Sequence, residues 1–122
     1  MISLAPIKDK NEIKAVFEKY NFKYTEFSGC VNAVSNNELL GFCLYYLDNK
    51  QMTVLYLQPQ NDLSLADGIL RSTLHVAAER SIINIYYMQQ NGDLFEKMGF
   101  IKDKQQKTLN IDLLFAGCNC CE

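Results

Sequence analysis

Residues 64–81 carry the pattern of a broad-faced amphipathic helix set between two short β-type runs, and this arrangement limits the folds open to the chain. Leu65, Ile69 and Ala77 repeat on one stripe, and Ala66, Leu70, Leu74 and Ala78 on the adjacent one, so a wide face must be covered. Residues 52–57 before it and 82–88 after it are mostly apolar runs of strand length. A helix that joins two strands of one sheet is a crossover, which predicts that these two strands are parallel neighbours.

The rest of the pattern fits around that unit. Residues 2–7 are a short apolar stretch. Asp9 with Glu12 three residues later reads as a helix start in which each side chain caps the other's N–H, followed by a stripe of Ile13, Val16, Phe17 and Tyr20 that ends near Asn21. Residues 24–30 give mixed signals, with Tyr24, Phe27 and Gly29. From Cys30 the pattern becomes β-type: residues 30–34, 39–47 and 52–57, broken by Asn36-Asn37 and Asp48-Asn49, predict an antiparallel meander. Pro59, Asn61 and Asp62 close the third strand. Residues 93–98 read as a helical turn stopped by Gly99, and residues 109–115 as a last strand.

The predicted class is α/β (α+β by some schemes), with a mixed, mostly antiparallel sheet in the order β-α-βββ-α-β-α-β. One domain is expected over residues 1–116, with a cysteine-rich tail at 117–122. A chain of 122 residues is long enough for a real core, burying roughly two-thirds of the surface it exposes when unfolded. Its formal charge of −2 offers no basic surface to neutralise a row of phosphates, so nucleic acid is not an expected partner. The opening residues lack a basic leader and no run of about 18 apolar residues occurs, which predicts a cytoplasmic protein without a membrane partner.

Residues 54–103 resemble the two central motifs of the GNAT acyltransferase superfamily. The first is VLYLQPQNDLSLADGILRSTLHVAAERSI, and the second, NIYYMQQNGDLFEKMGFIKD, contains the signature Phe95-Glu96-Lys97-Met98-Gly99-Phe100. The strand pattern of residues 30–57 agrees with the family's meander. Phe95, Met98 and Phe100 also read as core anchors, with Gly99 as a helix C-cap.

The resemblance implies acetyl-CoA or another acyl-CoA as co-substrate and a small-molecule amine as acceptor. The backbone of Leu55, Tyr56, Leu57 and Gln58 would meet the pantetheine arm, and the amides around Leu63, Ser64, Leu65 and Ala66, with Asn61, would meet the pyrophosphate at a helix N-terminus. The chain departs from the family pattern here. Asn61 stands for a longer polar or basic residue, Ser64 for the first glycine, and only Ala66 lies within the usual pattern. Asp62 and Asp67 flank the loop, and no Lys or Arg occurs between Lys50 and Arg71. Each helix-end charge is worth about 0.3–1 kcal/mol, so the pair would weaken anion binding by roughly ten-fold. Asp62 itself reads as a turn residue or helix cap.

The aromatic residue of the second signature is often a tyrosine in the family, whose hydroxyl protonates the departing thiolate. Here it is Phe95, and Tyr86 and Tyr87 are the nearest other phenols; strand alternation lets only one of them face outward. Asn91 is either a contact to the pantetheine arm or a turn residue beside Gly92. The family's strand carboxylate is replaced by neutral residues around Tyr56 and Gln58, so no base is evident. His75 falls with Asp67, Arg71 and Glu79 at i+4 steps on a solvated, ion-paired helix face.

Five cysteines, with no disulfide-framework spacing, read as reduced thiols. Cys118, Cys120 and Cys121 could hold a soft metal of unknown identity or form a redox pair, though three thiols need a fourth ligand such as Cys30 or Cys43 for a tetrahedral site; an idle terminus is the plainer reading. Three functions remain open from sequence: an acyl-CoA-dependent N-acyltransferase (acetyltransferase), a catalytically inactive ligand- or protein-binding module of the same fold, and a thiol or metal role for the tail.

Overall fold

The computed structural model describes residues 2–112, and these share one seven-stranded sheet in the order β1-β2-β3-β4-β5-β7-β6. The strands are β1 (Ser3–Pro6), β2 (Ser28–Ser35), β3 (Glu38–Leu47), β4 (Gln51–Gln58), β5 (Asn84–Tyr87), β6 (Ile101–Asp103) and β7 (Thr108–Leu109). The helices are α1 (Lys10–Lys19), α2 (Leu63–Glu79) and α3 (Gly92–Met98), and one 3₁₀ turn, Gln89–Asn91, leads into α3. The expected end of the domain at residue 116, the strand residues beyond 112 and the whole cysteine tail lie outside the described residues.

The meander is present: β2, β3 and β4 pair antiparallel in sequence, and β2 turns into β3 through Asn36 and Asn37, both with positive φ (53° and 66°). Asparagine tolerates that left-handed backbone, which a tight hairpin turn requires. The crossover prediction also holds, since β5 pairs with β4 in parallel from Gln51↔Asn84 to Val54↔Tyr87. Helix α2, capped by Asp62, spans that connection and buries Ala66, Ile69, Leu70, Thr73, Leu74 and Ala77.

Three expectations need correction. A hairpin, β6 with β7, follows α3 where one strand was expected, and β7 inserts between β5 and β6. The described part of the predicted 109–115 strand contributes only Leu109 to β7; residues 111 and 112 form a turn. Asp9 does cap α1, but its carboxylate accepts from the Asn11 N–H at 2.8 Å, and among the described residues no return bond from Glu12 completes the reciprocal cap. The mixed signals of residues 24–30 resolve into a turn, with β2 starting at Ser28.

The sheet has a helix layer on each face. On one face α1 lays Ile13 and Phe17 over Cys30, Phe42, Leu44 and Leu55. On the other, α2 packs over a larger core that includes Val31, Cys43, Met52, Val54, Leu57, Tyr87, Phe95 and Phe100. Gly41 lets strand β3 pass close to the end of β4: a Cβ there would sit 2.4 Å from the Gln58 carbonyl oxygen and 2.7 Å from Ile69 and Pro59. That contact holds the β4–α2 connection down on the sheet, which fixes where the helix begins.

Candidate functional site

Strand β4 carries an irregularity at its centre. Its register against β3 runs Leu44↔Tyr56 and then Tyr45↔Val54, so Leu55 is an extra residue, a β-bulge. Alternation breaks accordingly: Val54 and Leu57 belong to the α2-side core, whereas Leu55 and Tyr56 both pack on the α1 side. The bulge sits where β4 loses its other neighbour. Parallel pairing with β5 ends at Val54↔Tyr87, the Met88 N–H closes on the Val54 carbonyl at 3.2 Å, and β4 runs on to Gln58 beside β3 alone. The two strands thus part, leaving one edge of residues 55–58 without a strand partner among the described residues.

The segment after β5 turns back onto that edge. Asn91, fully buried, donates its side-chain amide to the Leu55 carbonyl at 2.9 Å, and Gln90 reaches the same oxygen at 3.3 Å. The other polar atom of Asn91, Oδ1, is buried without a hydrogen-bond partner among the described residues. Gln90 was not expected at the site. Its only signal is the polar Gln89-Gln90-Asn91 run directly after an apolar strand.

The N-terminus of α2 stands at the same end of β4. The Asp62 carboxylate accepts from the Leu65 N–H at 3.1 Å and the Asp62 carbonyl accepts from the Ala66 N–H at 2.9 Å. The N–H groups of Leu63 and Ser64 are left as the helix-end donors with no partner among the described residues, and Asn61, Leu63 and Ser64 are all exposed. An anion approaching those amides meets the Asp62 carboxylate beside them. Arg71 does not counter it, because its guanidinium pairs with Asp67 at 2.8 Å and lies over the Phe100 ring.

The structure therefore places Leu55, Tyr56, Asn91 and the first turn of α2 around one end of β4. Leu57 points into the α2-side core and is fully buried, and Gln58 donates its side-chain amide to the Tyr56 hydroxyl. Leu65 packs against the core and Ala66 is fully buried, so both offer only backbone. The backbone of Tyr87 stands where the strands part, but neither tyrosine side chain packs with Leu55 and Tyr56. Tyr87 is buried and meets Phe95 edge-on at 5.7 Å, while the half-buried Tyr86 pairs with Thr108 and lines a groove with Lys102 and Asp103. Phe95 is fully buried. His75 and Glu79 are exposed, and among the described residues of the expected ion-paired face Asp67 and Arg71 form a pair.

A cavity of about 560 Å³ opens on the α1 side of the parted strand, walled by Tyr20, Phe22 and Tyr56 with Lys19, Gln60 and Gln90 at its rim. Tyr20, from the apolar stripe of α1, packs half-buried against the α1-side core at the helix C-cap and also faces this space.

Cys30 and Cys43 lie on opposite faces of the sheet, one in each core. Burial pushes both thiols up to about 12; for Cys30 the nearby Cys43 adds to this, and for Cys43 a Thr73 hydrogen bond partly offsets it. The two thiols sit in separate cores on opposite faces of the sheet and so do not share one site, and no group of three or more metal-ligating side chains occurs among the described residues. Cys118, Cys120 and Cys121 lie outside them. No described helix is long and apolar enough to cross a membrane.

No protein-family model and no curated protein matches the chain. Solved structures do. Tetrahymena GCN5 superposes with a TM-score of 0.62 at 11% identity, covering 84% of this chain and 81% of that one. The Escherichia coli ribosomal-protein-S18-alanine N-acetyltransferase gives 0.60 at 9% identity, covering 88% of each chain. Arabidopsis thaliana Naa50, solved with the bisubstrate analogue CoA-Ac-MVNAL, gives 0.56 at 20% identity, covering 84% of this chain and 85% of that one. The chain has the GNAT fold, with the mixed, mostly antiparallel sheet and parted central strands described above.

Proposed function

We propose that this chain is an acyl-CoA-dependent N-acyltransferase that moves an acetyl or other small acyl group to a small amine. The observation that carries the proposal is the bulged strand β4, which parts from β5 after Val54 with the free amides of Leu63 and Ser64 at the same end. The free strand edge suits an extended amide-bearing arm, and a helix N-terminus suits a phosphate. The likeness to Naa50, solved with a joined CoA–acetyl–peptide analogue, supports the same use of the fold.

Transfer in one ternary complex needs little covalent help from the protein. The amine nitrogen bonds to the thioester carbonyl carbon, the carbon–sulfur bond breaks, and the proton lost by nitrogen ends on the sulfur of coenzyme A through water. This chain's residues supply positioning: Leu63 and Ser64 amides for phosphate, and residues 55–58 for the arm. General acid catalysis, typically worth about 10²–10⁴-fold, has no donor at Phe95, so turnover is expected to be slow.

A second reading is a module that binds without catalysis. It is favoured by the Leu55 carbonyl, which Asn91 and Gln90 already satisfy, and by the Asp62 carboxylate at the phosphate end. Calorimetric titration of acetyl-CoA and free coenzyme A into reduced protein at low salt, followed by thiol release with a panel of amines, separates the two. Binding with thiol release supports transfer; binding alone supports the module; no binding of either ligand removes the acyl-CoA reading.

A further inference from the structure

We infer that the cavity beside Tyr56 holds a planar aromatic ligand bearing an anionic group. Under the transfer reading, on which this part rests, that ligand is the acceptor: an aromatic amine with an acidic substituent.

The walls argue for a flat ring. Tyr20 and Tyr56 have centroids 5.5 Å apart, and Phe22 lies 6.2 Å from Tyr56. Buried Phe42 backs both tyrosines, at 4.9 Å from Tyr20 and 6.0 Å from Tyr56, so the wall rests on the α1-side core. The three lining rings are only half-buried, which leaves aromatic surface facing the space. The volume of about 560 Å³ lies within the range of small-molecule sites, and such rings gain most from offset or edge-on contact with another ring.

The charge at the rim argues for an anion. Lys19 is the one charged side chain among the described lining residues, and none of those residues is a carboxylate. Aromatic faces alone would favour a cation. Here the Lys19 ammonium already sits 5.6 Å from the Tyr20 ring centroid, so a second cation would meet its charge with no acidic group to compensate. The helix-cap carboxylate of Asp62 is engaged with the Leu65 N–H and does not line the space. Gln60 and Gln90 add neutral donors and acceptors. Position completes the argument: Tyr56 belongs to the parted end of β4, and Gln90 bonds the bulge carbonyl of Leu55.

The test is a heteronuclear NMR titration of the ¹⁵N-labelled full chain, without acyl-CoA, using 4-aminobenzoate, with aniline as neutral probe and benzylamine as cationic probe. Saturable shifts at Tyr20, Phe22 and Tyr56 are expected, with 4-aminobenzoate the tightest. Lys19→Gln should weaken 4-aminobenzoate by about two- to five-fold and leave aniline unchanged. Phe22→Leu should weaken both by roughly two- to ten-fold. No shifts at millimolar probe, shifts centred elsewhere, benzylamine binding as tightly as 4-aminobenzoate, or indifference to Lys19→Gln would each overturn the inference. Binding of 4-aminobenzoate by a protein that ignores acetyl-CoA would keep the cavity assignment and remove the acyl-transfer reading; the reverse pattern would remove only the cavity assignment.

Discussion

The side-chain amide of Asn91 donates to the main-chain carbonyl of Leu55 at 2.9 Å, tying the turn after β5 to the bulge of β4 across 36 residues of chain. The bulge leaves that carbonyl without a strand partner because β5 has already ended, and a buried carbonyl without a bond is costly. Asn91 satisfies it and so fixes how far the strands part. The arrangement has its own cost, since Oδ1 of the same side chain is buried without a partner among the described residues.

Asn91→Ala removes one neutral hydrogen bond but also that orphaned oxygen, and should lower stability by about 1 kcal/mol. Asn91→Asp places a buried carboxylate against the Leu55 carbonyl and should cost about 3 kcal/mol or more near neutral pH. The penalty of the Asp variant should shrink in acid, where a protonated carboxyl can donate as the amide did. Urea midpoints at pH 7 and pH 4 check this; equal midpoints for all three proteins would show that the tie contributes nothing.

Asp62 performs two opposed tasks. Its carboxylate caps α2 through Leu65, and its charge stands beside the free Leu63 and Ser64 amides. Asp62→Asn keeps a capping oxygen and removes the charge, so it should hold the melting temperature and tighten acetyl-CoA by about two- to five-fold at low salt, less at high salt. Asp62→Ala should lose about 1 kcal/mol of stability through the missing cap. Paired melting curves and calorimetric titrations read both effects, and unchanged affinity in the Asn variant would place the phosphate elsewhere.

The outer frame of this site was legible because it rests on local chemistry. The period of residues 64–81 gave α2 and its parallel neighbours, Asp62 read as a cap, and Gly99 as a C-cap, which the structure shows in the left-handed region at φ 77°. What was not legible depends on pairs distant in sequence. The bulge at Leu55 leaves no trace in the apolar run of residues 54–57, because its neighbours on both faces are apolar or aromatic. Tyr20 and Phe22 became cavity walls only by meeting Tyr56 from another element. Strand β6 has one apolar residue, Ile101, in three, too little for a period-2 signal; pairing with β7 makes it a strand.

The buried thiols give a pH signature. Cys30 and Cys43 are held up to about 12, whereas an unfolded thiol titrates near 8.5. Between those values the unfolded chain has released protons that the folded chain retains, so ν_U is smaller than ν_N and stability falls as pH rises. The contribution is fully present below about pH 8.5 and is lost progressively toward pH 12. Melting temperatures from pH 7 to pH 10.5 should decline more steeply for the parent than for Cys30→Ala with Cys43→Ala, and parallel slopes would contradict the burial argument. Alkylation at pH 8 followed by mass spectrometry should leave Cys30 and Cys43 unmodified until the chain unfolds.

Phe95 stands where the resemblance would put a proton-donating tyrosine. If a missing hydroxyl were all that limits turnover, Phe95→Tyr would restore it. The structure argues otherwise: Phe95 is fully buried with its ring edge-on to Tyr87, inside the α2-side core with Phe100. A hydroxyl added there enters a close-packed apolar region with no described partner, at a cost of about 1–3 kcal/mol. Phe95→Tyr should therefore lower the urea midpoint and leave thiol release with any amine unchanged. A rise of ten-fold or more in turnover, with stability retained, would show that the ring can reach the parted end of β4, and would return the general-acid role to this position.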